Sequence, residues 1–173
     1  MLRRSLAFVA LLVLASVGQA AGSVSQRVSA MRPLEQGVLS DINAIRHEHG
    51  LSELRLSTRL SEAARQHTLE MATRGYFSHS SANGSSFDRR IARYYPFAGK
   101  RYWSVGENLL WSSPDVDAAN ALQMWLDSPE HRANLLSPRW RQIGISAVHA
   151  TAAPGAYDGR EVTIVTTDFG VRR

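Results

Sequence analysis

The sequence predicts a single α+β domain, or a layered α/β/α domain, and three observations support this prediction. Apolar residues recur at helical spacing in three segments between residues 34 and 126. Two later segments, residues 143–149 and 162–169, alternate in polarity as the strands of an antiparallel hairpin do. The chain has 173 residues, enough to bury one sizeable core.

The first 20 residues have the pattern of a secretory signal peptide. Arg3 and Arg4 precede an apolar run over residues 6–17, and Gly18-Gln19-Ala20 supplies small residues for cleavage. An uncleaved membrane anchor is the alternative, but the run has only 12 residues. A spanning helix needs about 20. We therefore expect a secreted or periplasmic protein without a stable transmembrane span.

This leader determines how the rest of the chain is divided. We expect residues 1–20 to be the signal peptide, 21–33 a flexible lead-in and 34–173 the domain. Loss of Arg3 and Arg4 lowers the formal net charge from +5 to +3. The remaining basic residues are scattered among acidic ones, so we expect no nucleic-acid partner.

The chain contains no cysteine. An exported domain of this composition cannot use disulfides, thiolate chemistry or cysteine-ligated zinc. Its stability must therefore come from its core.

The first two helices follow directly from the spacing of apolar residues. Residues 34–49 form one helical stripe, and Gly50 ends it. A second helix begins at Ser57 or Thr58 and ends at Gly75. His67 lies on its apolar stripe, so we expect a core histidine with a hydrogen-bond partner rather than a ligand.

The segment after Gly75 is less regular. Two aromatics anchor a polar loop that carries His79, and Ser86 caps a short helix. Residues 101–111 are strand-like and contain Glu107 among apolar neighbours. A buried carboxylate is costly unless paired. Glu107 is therefore either a structural residue satisfied by backbone N–H groups or a cavity residue that faces the histidines.

A third helix is predicted to begin at Ser113-Pro114-Asp115, where a cap, a proline and an acid follow one another. It ends near Leu126. Ser128 before Pro129 then starts a short helical turn, with His131 in its first turn. The positive end of a helix dipole favours a neutral imidazole, which can accept a proton or bind a metal.

Six short motifs occur in a definite order along the chain. They are Asn43 and Arg46 before Gly50-Leu51, Gly75-Tyr76-Phe77-Ser78-His79, Gly106-Glu107-Asn108-Leu109, residues 125–134, Ile143-Gly144-Ile145 and Thr167-Asp168-Phe169-Gly170. Together they resemble the CAP superfamily, also called the SCP or cysteine-rich secretory protein domain, in its disulfide-free bacterial branch. The resemblance covers residues 34–170 and implies a three-layer α-β-α sandwich with a central cleft. Any single motif is weak evidence.

The resemblance also implies a cleft with two histidines and two glutamates. His79, Glu107 and His131 match three of these positions, and Asn134 replaces a glutamine of the family pattern. The second glutamate belongs to a Trp-x-x-Glu pattern, in which Ser128 stands here. The candidates for this fourth position are Asp127, Glu130 and Asp168. We therefore place the ligand-binding cleft at His79, Glu107, Ser128, His131, Asn134 and Asp168.

Two imidazoles and a carboxylate are the ligand types of an open zinc site. His79 and His131 would bind a divalent metal such as zinc, and Glu107 would be a third ligand or would orient one ring. The same three residues are the candidates for catalysis if a metal-bound water is activated. Without a metal, Glu107 hydrogen-bonds a histidine and the cleft recognises a polar ligand.

We therefore expect a monomeric, exported ligand- or metal-binding module at the cell envelope or outside the cell. Its partner would be an unknown small molecule, a lipid or an envelope component. The alternative is a metal-dependent hydrolase acting on a peptide or envelope substrate, and a third possibility is a scaffold with a vestigial cleft. No Gly-x-Ser-x-Gly motif is present, which argues against a serine hydrolase.

Overall fold

The computed structural model of the protein describes residues 26–173. The predicted signal peptide and the first five residues of the predicted lead-in lie outside this range. The elements, in chain order, are β1 (Val28–Ala30), α1 (Arg32–Glu48), β2 (Arg55–Leu56), α2 (Thr58–Arg74), α3 (Phe87–Tyr94), β3 (Trp103–Ser112), α4 (Ala118–Leu126), α5 (Pro129–Leu135), β4 (Gln142–Ala153) and β5 (Arg160–Arg172).

The strands form one sheet in the order β1-β4-β5-β3, and all neighbours along this path are antiparallel. The two-residue β2 adds to β4 in parallel. The predicted hairpin is therefore confirmed as β4 and β5, both longer than expected. Strand β3 lies at one edge and pairs with β5, which places Glu107 opposite Asp168.

Helices cover both faces of the sheet, which confirms the predicted three-layer α+β sandwich. Alternation along the strands divides the core into two parts. Trp125, Ile143 and Phe169 belong to the part under α1, α4 and α5. Met71, Leu109 and Ile164 belong to the part under α2. Glu107 and Asp168 share the second face.

Helix α2 packs very closely on the sheet. A Cβ at Gly144 would lie 2.0 Å from the carbonyl carbon of Leu60, so only glycine fits there. Gly75 ends α2 in the left-handed region at φ 71°, as the sequence predicts. His67 is fully buried on this helix, and its Nε2 lies 2.8 Å from the Ser78 carbonyl oxygen. The predicted core histidine is confirmed.

The predicted start of the third helix is wrong by a few residues. Helix α4 begins at Ala118, because the side chain of Asp117 accepts a hydrogen bond from the Asn120 N–H at 2.8 Å. The hydroxyl of Ser113 donates instead to the Glu161 carbonyl oxygen at 2.7 Å. Ser113 therefore forms a hydrogen bond to strand β5 and does not cap a helix.

The end of the predicted flexible lead-in differs from the expectation as well. Residues 28–30 form β1 against β4, and the Met31 N–H donates to the Ala147 carbonyl oxygen at 3.0 Å. Helix α1 already begins at Arg32. None of the helices between residues 26 and 173 combines the length and the apolarity that crossing a membrane requires.

Candidate functional site

A cleft of about 320 Å³ lies beside β3 and is bounded by side chains from both helical layers. His79 comes from the loop after α2, and His131 and Asn134 come from α5. Glu107 projects from β3. The remaining lining residues are Phe87, Val105, Gly106, Glu130, Arg139 and Trp140.

Glu107 is the central residue of the cleft. Its side chain is fully buried, and its Oε1 lies 2.8 Å from Nδ1 of His79. Its Oε2 accepts a hydrogen bond from the guanidinium of Arg90, which is also buried. Two interpretations of Glu107 were left open. The geometry agrees with the second, in which Glu107 is a cavity residue that faces a histidine. Its second partner is an arginine side chain and not backbone N–H groups.

Arg90 connects three parts of the site. Besides its ion pair with Glu107, it donates to the His79 carbonyl oxygen at 3.0 Å and contacts the Ser81 hydroxyl at 3.4 Å. The histidine loop is therefore held at both its ring and its backbone. Because Nδ1 of His79 faces Glu107, Nε2 is the nitrogen left for a ligand. The His79 side chain is 52% exposed, so that nitrogen is accessible.

Asp168 lies behind Glu107 and not in the cleft. It is fully buried, and neither carboxyl oxygen accepts a hydrogen bond from a donor group. Burial, followed by the neighbouring Glu107, raises the pKa of Asp168 well above its ordinary value. A neutral carboxyl is less costly to bury than an unpaired anion, so the raised pKa favours the protonated acid.

His131 lies in the first turn of α5, as predicted. Burial and then the nearby His79 lower the pKa of His131, so its neutral form predominates at pH 7. Asn108 donates to the His131 carbonyl oxygen at 3.0 Å. Asn134 donates to the Glu107 carbonyl oxygen at 3.1 Å and to Oδ1 of Asn108 at 3.0 Å. These bonds attach α5 to β3 and set the width of the cleft.

The structure thus brings His79, Glu107, His131 and Asn134 together, and it separates the other two predicted cleft residues from them. Ser128 occupies the N-cap position of α5, makes no side-chain cap hydrogen bond and does not line the cleft. Of the candidates for the fourth position, only Glu130 lines the cleft. Asp127 is exposed and accepts a hydrogen bond from Gln123.

Arg90 is the functional residue that sequence reasoning missed. It lies on α3 on the same helical stripe as Phe87, Ile91 and Tyr94. An arginine on an apolar stripe signals a buried cation that needs a carboxylate partner. That signal was present in the sequence.

The donor set limits how a metal could bind. Across residues 26–173, no three His, Asp or Glu side chains are grouped so that they could hold a metal ion. Both oxygens of Glu107 already have partners. His79 and His131 are therefore the imidazole ligands that the cleft could offer, and Glu107 fits the orienting role.

Comparison with known proteins gives a consistent result. The profile of the cysteine-rich secretory protein family, CAP, matches residues 39–167. The uncharacterized protein YkwD of Bacillus subtilis is 30% identical over 123 residues, which cover 70% of this chain and 45% of YkwD. The uncharacterized membrane protein YlbC of the same organism is 33% identical over 112 residues, 64% of this chain and 30% of YlbC. The chain therefore spans less than half the length of these two curated relatives.

Two solved structures share the fold. An extracellular protein containing an SCP domain from Bacillus anthracis superposes with a TM-score of 0.63 at 28% identity, covering 82% of this chain and 41% of that one. An outer surface protein of Borrelia burgdorferi superposes with a TM-score of 0.67 at 18% identity, covering 85% of this chain and 100% of that one. The second likeness shows that the same layered fold persists at low sequence identity.

Proposed function

The chain belongs to the cysteine-rich secretory protein (CAP) family, and on this premise we propose that it is an exported binding module whose cleft takes up a ligand through His79 and His131. The observation that carries the proposal is the engagement of Glu107 by both Arg90 and His79. This arrangement fixes one imidazole with its second nitrogen accessible. The neutral imidazole of His131 lines the same cleft.

Export is supported by the pattern of residues 1–20, which is typical of a signal peptide. The Bacillus anthracis relative is described as an extracellular protein. We propose accordingly that the protein acts in the periplasm or outside the cell. Mass spectrometry of the protein recovered from the producing cells tests this point. A chain that retains residues 1–20 in the cytoplasm would contradict export.

A divalent metal such as zinc is one ligand that fits this pair of imidazoles. His79 and His131 would hold it, and the remaining coordination positions would be left to water or to a further ligand. A bound metal would supply a Lewis acid in the cleft. Glu107 would orient the His79 ring, as carboxylates behind metal-ligating histidines commonly do.

The hydrolase alternative is less well supported by the geometry. A hydrolase needs a carboxylate or imidazole free to accept a proton from water. Glu107 is fully buried and both of its oxygens already have partners, Arg90 and His79, so it is poorly placed to take a proton from water. Glu130 is the other carboxylate that lines the cleft. Turnover of a peptide or envelope substrate that disappears in Glu130→Gln would support this alternative.

Calorimetric titration with zinc chloride tests the binding proposal. We expect about one zinc bound per chain at pH 7.5, and loss of that binding in both His79→Ala and His131→Ala. His47→Ala removes an exposed histidine outside the cleft and should bind zinc like the unchanged protein. Zinc should be released on acidification, because protons compete for the imidazoles. Equal binding by all four proteins would show that the cleft is not the site.

A further inference from the structure

A second hollow, separate from the cleft, is lined mainly by cations. It has a volume of about 540 Å³ and lies at the end of the sheet where β5 finishes. Five of its lining residues are basic: Arg55, Lys100, Arg141, Arg172 and Arg173. None is acidic. These residues are far apart in the sequence, and the fold gathers them into what we call the basic hollow.

Within the described chain, none of the five cations of the basic hollow has an ion-pair partner within 4.0 Å. Over residues 26–173, the ion pairs within 4.0 Å involve Arg74, His79, Arg90, His149 and Arg160, none of which lines the hollow. The other polar lining side chain is Gln142, whose Oε1 accepts from the Tyr95 hydroxyl at 2.7 Å. The groups left free are hydrogen-bond donors, which is the chemistry of an anion site.

Three of the arginines are held in place by their surroundings. The Arg172 guanidinium lies 4.1 Å from the centre of the Tyr95 ring. Arg141 donates to the Pro138 and Trp140 carbonyl oxygens at 2.7 and 2.8 Å. Arg173 lies 5.6 Å from the centre of the Tyr102 ring. Such fixed guanidinium groups lose less conformational entropy when they bind a phosphate.

Two exposed aromatic residues are joined by backbone hydrogen bonds to residues that line the hollow. Tyr102 is 43% exposed and pairs through its backbone with Arg173. Phe97 is 49% exposed, and its carbonyl oxygen accepts from the Lys100 N–H at 3.1 Å. Two of the five large hydrophobic side chains exposed in the described chain therefore belong to residues bonded directly to the lining of the hollow. Aromatic rings beside clustered basic residues are typical of proteins that lie on a membrane surface.

We propose that the basic hollow binds the phosphate headgroups of anionic phospholipids, so that this end of the domain lies on a membrane surface. The unpaired cations would contact the phosphates. Phe97 and Tyr102 would enter the headgroup region. The exposed aromatics favour a lipid over a free phosphate, which would use the cations alone.

Co-sedimentation with lipid vesicles tests the proposal. The protein is used in the form in which the producing cells process it. One set of vesicles contains phosphatidylcholine alone, and the other adds phosphatidylglycerol. Binding should require phosphatidylglycerol and weaken with salt. The double variant Arg55→Gln/Lys100→Gln should lose about 25-fold in partitioning, at about fivefold for each charge near an anionic surface.

The matched control is Arg74→Gln/Arg160→Gln. It removes the same net charge from two exposed positions, of which Arg160 begins β5 at the end opposite the hollow. It should bind like the unchanged protein. If the control weakens binding as much as the hollow variant does, net charge and not the hollow is responsible. That result, or no preference for phosphatidylglycerol, would overturn the proposal.

A third comparison separates the lipid from a soluble anion. Phe97→Ser/Tyr102→Ser should reduce vesicle binding without changing the affinity for inorganic tripolyphosphate measured by calorimetry. Tight tripolyphosphate binding by the unchanged protein, without sedimentation on phosphatidylglycerol vesicles, would identify a free phosphate compound as the ligand. The lipid proposal would then be wrong.

Discussion

The ionisation of the cleft depends on what lies behind Glu107. Two carboxyl groups, Glu107 and Asp168, face each other across β3 and β5, and a single buried guanidinium, that of Arg90, pairs with Glu107. Burying both carboxyls as anions would be very costly. The raised pKa of Asp168 lowers this cost, because it favours the neutral acid in the folded protein.

Asp168→Asn tests this protonation state. The pKa of Asp168 is raised in the folded protein, so stability is lost as the pH rises above its ordinary value of 3.8. An asparagine has nearly the same size and shape as the protonated acid and carries no charge at any of these pH values. We therefore expect the free energy of unfolding of the variant, relative to the unchanged protein, to improve as the pH is raised from about 4 towards neutrality.

Urea denaturation at several pH values measures this difference. Asp158→Asn, in which the replaced carboxylate is largely exposed, is the control and should show little pH-dependent change. A difference for Asp168→Asn that stays constant with pH would mean that Asp168 is ionised in the folded protein.

Arg90→Met should be strongly destabilising. It leaves the buried Glu107 carboxylate without its cation, and breaking such a pair typically costs about 3–5 kcal/mol. Arg93→Met on the same helix removes an exposed arginine and should cost at most about 0.5 kcal/mol. Chemical denaturation of the two variants provides the comparison. A similar small effect in both would show that Glu107 is satisfied without Arg90.

Short motifs were the basis on which single residues could be predicted. His79, Glu107, His131 and Asn134 were found because each lies in a recognisable segment, and the structure brings them to one cleft. Asp168 was predicted to lie in the cleft and instead lies behind Glu107, because register between strands cannot be read from one sequence. Arg90 was missed because no motif contains it.

Helix boundaries illustrate the limits of sequence rules for whole elements. Serine before proline occurs at Ser113, Ser128 and Ser137. Only Ser128 occupies a helix N-cap position, and even there its hydroxyl makes no cap hydrogen bond. Asp117 performs the capping of α4 instead. A side chain with several possible partners caps a helix only when tertiary contacts leave it free.

Asp117→Ala and Ser128→Ala form a matched pair for this conclusion. Loss of the Asp117 cap should cost about 1 kcal/mol, the usual value for a side chain that satisfies a helix N–H. Ser128→Ala removes a hydroxyl without a cap bond and should change stability by less than about 0.5 kcal/mol. Thermal denaturation with both variants decides the point. Equal costs would indicate that Ser128 does cap α5 in solution.

At the scale of the whole molecule, buried histidines should make the fold sensitive to acid. Burial lowers the pKa of His67, which is neutral in the core. In the unfolded chain the same ring binds a proton near its ordinary pKa of 6.5. Stability is therefore complete above that value and declines below it, by up to about 1.4 kcal/mol per pH unit for one proton.

His67→Gln should flatten this decline. Urea denaturation at pH 7.5, 6.5 and 5.5 would show a smaller loss of stability than in the unchanged protein, even if the variant is less stable throughout. His47→Gln, in which the replaced ring is exposed, should leave the slope unchanged. A slope identical in all three proteins would exclude His67 as the acid-sensitive group.

The fold class and layer order were predictable because apolar periodicity determines which faces are buried. The distribution of charge was not. The arginines are scattered along the chain, yet residues as distant as Arg55 and Arg172 line one hollow. Sequence proximity and spatial proximity are unrelated for surface residues on different elements, so only the structure could show this cluster.

The two edges of the sheet offer few free backbone groups to a foreign strand. On β3, the carbonyl oxygens of Glu107 and Leu109 are already bonded by Asn134 and by the Trp125 indole. The opposite edge ends in a strand of three residues. A foreign strand that tried to extend the sheet would first have to displace native side chains, or would find almost no ladder to join. The contacts that shape the cleft should therefore also hinder pairing of the sheet edges with strands of other molecules, as occurs in amyloid-like polymerisation.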